Sequence, residues 1–475
     1  MSAAAHCPRH IASEPERAAS MLSEIEAPPV AAATPRPPFW VGLRPLLLRL
    51  HFYAGILIAP FLLVAACTGA LYGASYQIEK VLYSDQLTVS QVGTAPRPLS
   101  EQVAAATAAH PESSFALVRT YDDREATTQV LLNSPNVAEG NRLAVFVDPY
   151  TAKVQGAVES YGSTGALPLR ATLDKLHTSL LLGETGRLYS ELAASWLWVV
   201  VLGGLGLWIG RRRKRYLRPD GKATGRRRTL SWHGAVGLWA AIGLLGLSAT
   251  GLTWSTYAGE NVENLRTSLS WSTPSLSTTV GAEHAGHQAA DGGSGEAAPG
   301  SVGLDQVLAT ARKAGLDGPL EITPPKPGKA YAVKEIDRQV PDRLDQIAVD
   351  PASGHITSRL DFADYPLAAK LTRYGIDLHM GLAFGLVNQI VLVALGLAVI
   401  TLILLGYRMW WQRRPTGGVM GRPYTRGAWR QNPVATVVLL LLAVPIGWFI
   451  PLFGLSLLAF LVIDLLLGLR HRTTA

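Results

Sequence analysis

Residues 49–76, RLHFYAGILIAPFLLVAACTGALYGASY, and residues 231–257, SWHGAVGLWAAIGLLGLSATGLTWSTY, decide how this chain is organised. Laid side by side at an offset of 182, they match His51 with His233, Gly55 with Gly237, Thr68 with Thr250 and Gly69 with Gly251. A second match follows each. LHTSLLLG from Leu176 pairs with LHMGLAFG from Leu378, which sets His177 on His379 and Gly183 on Gly385 at an offset of 202. Val147-Asp148-Pro149 meets Val349-Asp350-Pro351 at the same 202. The change of offset requires about 20 extra residues in the second copy (202 − 182), and the Gly/Ala/Ser-rich tract 281–301 supplies them.

The repeated unit reads as helix, small α+β domain, helix. LSEQVAAATAAH from Leu99 and GLDQVLATARKAG from Gly303 have helical periodicity. TTQVLLNS, RLAVFVDPYTAKVQGAV and LDQIAVDPASGHITSRL alternate as hairpin strands, with turns at the two Asp-Pro pairs. Apolar runs at 56–72, 193–209, 235–254 and 386–405 approach the ~20 residues a helix needs to cross a bilayer. The run 434–467 is too long for one span and holds Pro445 and Pro451, so it reads as a hairpin of two short helices. With 48% hydrophobic and only 16% charged residues, the composition fits a membrane protein with sizeable soluble insertions.

The net charge of +8 does not point to nucleic acid. Residues 211–228 hold ten Lys/Arg against the single acid Asp220, and 408–430 hold six Arg and no acid. Both lie beside apolar runs, as the basic cytoplasmic loops of a multi-pass protein do. Both termini then face the cytoplasm and the α+β domains the periplasm, across a bacterial inner membrane. The expected order is a disordered arm (1–44), span 1 (45–78), periplasmic domain 1 (79–175), and a His-bearing segment with span 2 (176–210). A basic loop (211–230), span 3 (231–257), periplasmic domain 2 (258–372), and a His-bearing segment with span 4 (373–411) follow. A second basic loop (412–433) and the hairpin (434–469) close the chain. The two cysteines, Cys7 and Cys67, lie in the arm and in the first span and form no disulfide framework. No Cys-x-x-Cys-His is present for covalent c-type haem.

This topology puts His51 and His233 near the cytoplasmic ends of their spans, and His177 and His379 near the periplasmic ends. Residues of one repeat lie a membrane thickness apart, roughly 30 Å, so equal-depth pairing joins His51 to His233 and His177 to His379. Two imidazoles facing each other inside a helical bundle are a standard axial ligand pair for haem iron. A lone histidine at a helix end is ordinarily an interfacial residue; four matched pairwise by a repeat favour ligation. Gly55 and Gly237, one turn beyond their histidines, would let a flat macrocycle approach. Arg49 on the inside, with Arg187 and Arg373 outside, are candidate partners for haem propionates. His284 and His287 in the inserted tract have no counterpart in the first repeat and read as incidental.

The His-bearing first helix with its Thr-Gly, the Leu-His-x-x-Leu-x-x-Gly segment and the Val-Asp-Pro hairpin together resemble the PepSY-associated transmembrane family. That family includes iron-regulated inner-membrane proteins and ferric-siderophore reductases, and the resemblance runs from about Arg44 to Arg414. It implies two periplasmic PepSY modules and two b-type haems on His51, His177, His233 and His379. It also implies an oxidoreductase acting on a ferric siderophore. Some relatives carry a flavin-reductase domain; the basic loops here are short and lack a Gly-rich nucleotide motif, so the electron donor is expected to be a separate protein or a membrane quinol. Membrane lipid surrounds the spans, and no nucleic-acid partner is expected. Two other readings remain open: a PepSY-based binding or regulatory protein without redox activity, and a metal or haem transporter that relays its cargo along the histidines.

Overall fold

A computed structural model describes residues 39–210, 217–280, 302–340, 343–414 and 433–473. Outside these lie most of the N-terminal arm, the tract 281–301 with His284 and His287, and parts of both basic loops. The chain enters through α1 (Phe39–Leu57) and α2 (Ala59–Leu82), then a short α3 (Ser84–Leu87) and α4 (Leu99–Ala109). Strands β1 (Ser114–Thr120), β2 (Thr128–Asn133), β3 (Asn141–Val147) and β4 (Val154–Tyr161) follow, then α5 (Pro168–Ser179) and α6 (Gly183–Ile209). The second half returns the same sequence of elements. It has α7 (Gly225–Thr253), α8 (Tyr257–Ser268), α9 (Leu304–Lys313), β5 (Leu320–Thr323), β6 (Tyr331–Glu335), β7 (Gln346–Val349) and β8 (Ile356–Leu360). Helices α10 (Leu367–His379), α11 (Leu386–Trp411), α12 (Pro433–Phe449) and α13 (Pro451–Thr473) complete it.

Among the described residues four helices are long and apolar enough to cross a membrane: α2, α6, α7 and α11. Helix α2 packs on α11 and α6 on α7, so the first helix of each half lies against the second helix of the other. The first span is longer than its apolar run suggests. It starts at Phe39 and bends between α1 and α2, where Pro60 has no N–H to continue the helical ladder. His51 therefore sits on α1, one bend away from the span proper. The terminal hairpin breaks between Phe449 and Pro451, where a proline opens the second helix.

The larger departure concerns the two α+β domains. All eight strands form one antiparallel sheet in the order β4-β3-β2-β1-β5-β6-β7-β8. Strands β1 and β5 pair at its centre, with Val118 opposite Ile322, Arg119 opposite Glu321 and Thr120 opposite Leu320. Two separate modules would each expose β1 or β5 as an unpaired edge, and joining them removes both edges. The core is shared as well. Helices α4 and α9 cover one face of the whole sheet, burying Leu99, Val103, Val307 and Ala311 against Val118, Val130, Leu320, Ile322 and Val333. Along the first-half strands the alternate residues Leu117, Leu131, Ala144 and Phe146 form a smaller core on the opposite face. The Asp residues of the two Asp-Pro turns accept backbone N–H bonds two residues on, from Tyr150 at 2.8 Å and Ala352 at 3.2 Å, which closes each hairpin.

Candidate functional site

His177 and His379 lie in the last turns of α5 and α10, short helices that lead into the spans α6 and α11. Both connections need residues with positive φ. Gly183 (φ 61°) and Gly385 (φ 53°) occupy that region, which accounts for the glycine ending each Leu-His-x-x-Leu-x-x-Gly segment. The chain reversal lays each histidine against the preceding span.

The structure brings the four histidines together as two pairs, each joining the two halves. The ring centres of His51 and His233 are 6.2 Å apart, and those of His177 and His379 are 6.5 Å apart. A metal–imidazole bond of about 2 Å, plus about 1.1 Å from ring nitrogen to ring centre, puts two trans imidazoles of one metal about 6.2 Å apart. The spacing therefore fits a single metal atom between each pair.

Hydrogen bonding decides which nitrogen faces that position. Nδ1 of His51 lies 2.9 Å from the Val200 carbonyl and Nδ1 of His233 lies 3.1 Å from the Leu402 carbonyl. Nδ1 of His177 lies 2.9 Å from Thr68 Oγ1, and Nδ1 of His379 lies 2.6 Å from Thr250 Oγ1. A carbonyl can only accept. Each threonine also donates its own proton to a helix carbonyl four residues back, 2.8 Å away in both cases, so its oxygen too accepts from the ring. All four Nδ1 atoms are thus donors, which makes Nε2 the ring atom whose electron pair could serve a metal. Val200 and Leu402 share the 202-residue offset, as Thr68 and Thr250 share the 182-residue one.

Glycine eases this closeness at two positions, Gly204 and the Gly69 of the repeated Thr-Gly. A Cβ at Gly204 would come within 3.2 Å of His51 Cε1, and one at Gly69 within 3.2 Å of His177 Cε1. Their counterparts Gly406 and Gly251 back His233 and His379 at 3.9 and 3.7 Å. A Cβ at Gly55 would meet nothing within 4 Å, and Gly55 and Gly237 both line the cavity that holds His51 and His233.

That inner cavity has a volume of about 500 Å³, and a second of about 640 Å³ contains His177 and His379. Both lie within the range of small-molecule and cofactor sites. Leu62, Leu197, Leu244 and Val399 line both cavities and form an aliphatic septum between them. These four are themselves matched, Leu62 with Leu244 at 182 and Leu197 with Val399 at 202. Spacing, tautomer, open glycines and cavity size all fit a planar bis-imidazole cofactor such as haem b in each cavity.

The cations are distributed differently from expectation. Arg49 is buried, forms an ion pair with Asp464 of α13 and sits over the Tyr53 ring, so it fastens α1 to the terminal hairpin and does not line the inner cavity. A buried guanidinium requires such a partner. The cations lining the inner cavity are Arg44, Arg226 and Arg413. Arg187 and Arg373 do line the outer cavity, and Arg338 joins them from the segment after β6. Arg187 donates to the Trp254 carbonyl at 3.0 Å, and Arg373 donates to Asp377 at 2.8 Å. Burial, together with the neighbouring Arg373, pushes Arg338 down to about 10, still charged at neutral pH. Arg338 has no partner at the repeat offset, where Asn136 stands, so nothing in the sequence marked it.

Trp254, 5.4 Å from the His379 ring, and the loop residues Tyr161, Gly162, Ser163 and Thr164 complete the outer wall, so the sheet contributes its roof. Among the described residues no group of three or more His, Cys, Asp or Glu converges on a metal position, and the histidines act as pairs. No curated protein matches the chain. The profile of the PepSY-associated TM region matches residues 48–413, which include every histidine and septum residue described above. This chain, a multi-pass membrane protein, belongs to that family.

Proposed function

We propose that the chain is a di-haem oxidoreductase of the bacterial inner membrane. It would carry electrons from the cytoplasmic side or the quinol pool to a ferric siderophore in the periplasm. The observation that supports this most directly is the engagement of all four Nδ1 atoms in two closely spaced histidine pairs, each lining its own cavity, which makes Nε2 the candidate ligand atom. Haem b bound there would supply a one-electron couple at each level of the membrane. His51 and His233 would hold the inner group, with Arg44, Arg226 and Arg413 available to its carboxylates. His177 and His379 would hold the outer group, with Arg187, Arg338 and Arg373 around it. Leu62, Leu197, Leu244 and Val399 would keep water out of the space between. The roof loop 161–164 and Arg338 would face the ferric chelate, and a hard-oxygen chelate holds Fe(III) far better than Fe(II), so reduction favours release.

The test is spectroscopic. Protein made with ample haem should give about two haems per chain by pyridine haemochrome, with a Soret band that shifts on dithionite. His379→Ala should keep one haem that still accepts electrons but should fail to reduce a ferric chelate added outside. His51→Ala should keep the other haem and lose reduction from inside. A colourless wild type, or His379→Ala with two haems and full reductase activity, would overturn the reading.

A further inference from the structure

The two histidine pairs differ in what receives their Nδ1 protons. His51 and His233 donate to main-chain carbonyls of Val200 and Leu402, which no side-chain substitution removes. Nδ1 of His177 and of His379 instead meets a side-chain hydroxyl, Thr68 and Thr250, on the two repeat-related spans α2 and α7, with the Ala65 carbonyl also beside His177. Thr68 is buried, and its proton and that of Thr250 are spent on Val64 and Gly246. With that proton spent on its own helix, each hydroxyl oxygen meets the ring as an acceptor. Gly69 follows Thr68 directly, and a Cβ there would come within 3.2 Å of the His177 ring. A threonine bonding back to its own helix is common and needs no function. Here both matched threonines bond back and also meet a ligand histidine.

We propose that Thr68 and Thr250 are positioning residues that fix the tautomer and the donor strength of His177 and His379, and so tune the outer haem alone. The inference rests on the proposed function only in taking the outer pair to carry a haem. A ring N–H that loses its acceptor makes the opposite nitrogen a weaker donor. A weaker donor stabilises Fe(III) less relative to Fe(II), so the outer midpoint potential rises when the hydroxyl is removed. The inner potential, set by main-chain acceptors, stays where it is. Valine keeps the shape of threonine and removes the acceptor; serine keeps the acceptor.

The test uses the full-length, haem-loaded protein carrying Thr68→Val, Thr250→Val, Thr68→Ser and Thr250→Ser, with haem stoichiometry and a potentiometric titration read in the visible α band. The valine variants should shift one of the two redox components upward and leave the other unchanged, and the serine variants should titrate as wild type. Loss of one haem in the valine variants, with retention in the serine variants, would equally assign the hydroxyls to holding the outer ligands. Two unshifted components with both haems retained in Thr68→Val and Thr250→Val would overturn the proposal, as would a shift of both components together. A wild type that titrates as two haems but reduces no ferric chelate would defeat the reductase reading and leave this inference standing.

Discussion

The pair at the centre of the sheet gives a prediction with a defined order of severity. Arg119 Nε lies 2.8 Å from Glu321 Oε2, and the two side chains are only 6% and 5% exposed. Glu321 has a second partner, Lys334 at 2.7 Å, whereas Arg119 otherwise donates only to the Ser163 carbonyl at 3.1 Å. Glu321→Leu therefore leaves a buried guanidinium with one neutral acceptor, a change that costs about 3–5 kcal/mol. Arg119→Met leaves Glu321 held by Lys334 and costs less, about 1–3 kcal/mol. The double variant removes both charges, and a coupling on the order of 3 kcal/mol, larger than the Arg119→Met loss, should leave it somewhat more stable than Glu321→Leu. Thermal unfolding of the full chain in detergent should rank the apparent Tm as wild type, Arg119→Met, then Glu321→Leu, with the double variant above Glu321→Leu. The pair also predicts a pH dependence. Burial alone would push the Glu321 carboxyl up, but Arg119 and Lys334 outweigh it and hold it below its ordinary value of 4.5. A depressed folded value contributes stability that is fully present above pH 4.5 and is lost as pH falls through the folded value. Wild-type Tm should fall there, and Glu321→Leu should lose that component. A Glu321→Leu variant as stable as Arg119→Met, or a double variant as damaged as the two losses summed, would refute the reasoning.

Gly69→Val should push His177 off Thr68 and reduce haem content from about two per chain to one, with Gly55→Phe doing the same to the inner site by filling the space beside His51; pyridine haemochrome stoichiometry reads both, and two haems retained would remove the role given to those glycines. Arg49→Leu should lower the apparent Tm, because the ion pair that fastens α1 to α13 is lost, and should leave haem content unchanged; haem loss would return Arg49 to the inner site. Gly221→Cys should react with an impermeant thiol reagent only when the cytoplasmic face is opened, since it lies in the first basic loop, and labelling from the periplasm would reverse the topology.

The histidine pairing was legible because two offsets, 182 and 202, carried it, and equal depth follows from the order of the spans. The break at Pro451 and the turns at Asp148 and Asp350 were legible because proline and aspartate act on their own neighbours. What escaped depends on long-range contact. The pairing of β1 with β5 joins residues about 200 positions apart, and nothing local in Ser114–Thr120 or Leu320–Thr323 specifies a partner. Arg49 read as a candidate propionate partner because Asp464, with which it pairs, is 415 residues away. Thr68 and Thr250 were visible as matched positions, yet their bond to the histidines depends on how α5 and α10 fold back on α2 and α7.

The sheet junction also says something about ancestry. Arg119 and Glu321 are separated by 202 residues, the same interval that relates Val147 to Val349, so the pair consists of one repeat position facing itself. In a dimer of two identical single-repeat chains, that position would meet its own copy, and a charge there would face a like charge. Opposite charges become possible only once the two copies differ in sequence at that position. Arg119 and Glu321 thus bind the two halves to a shared fate: cut apart and re-paired as twins, either half would bring two buried charges of the same sign together at the middle of its sheet.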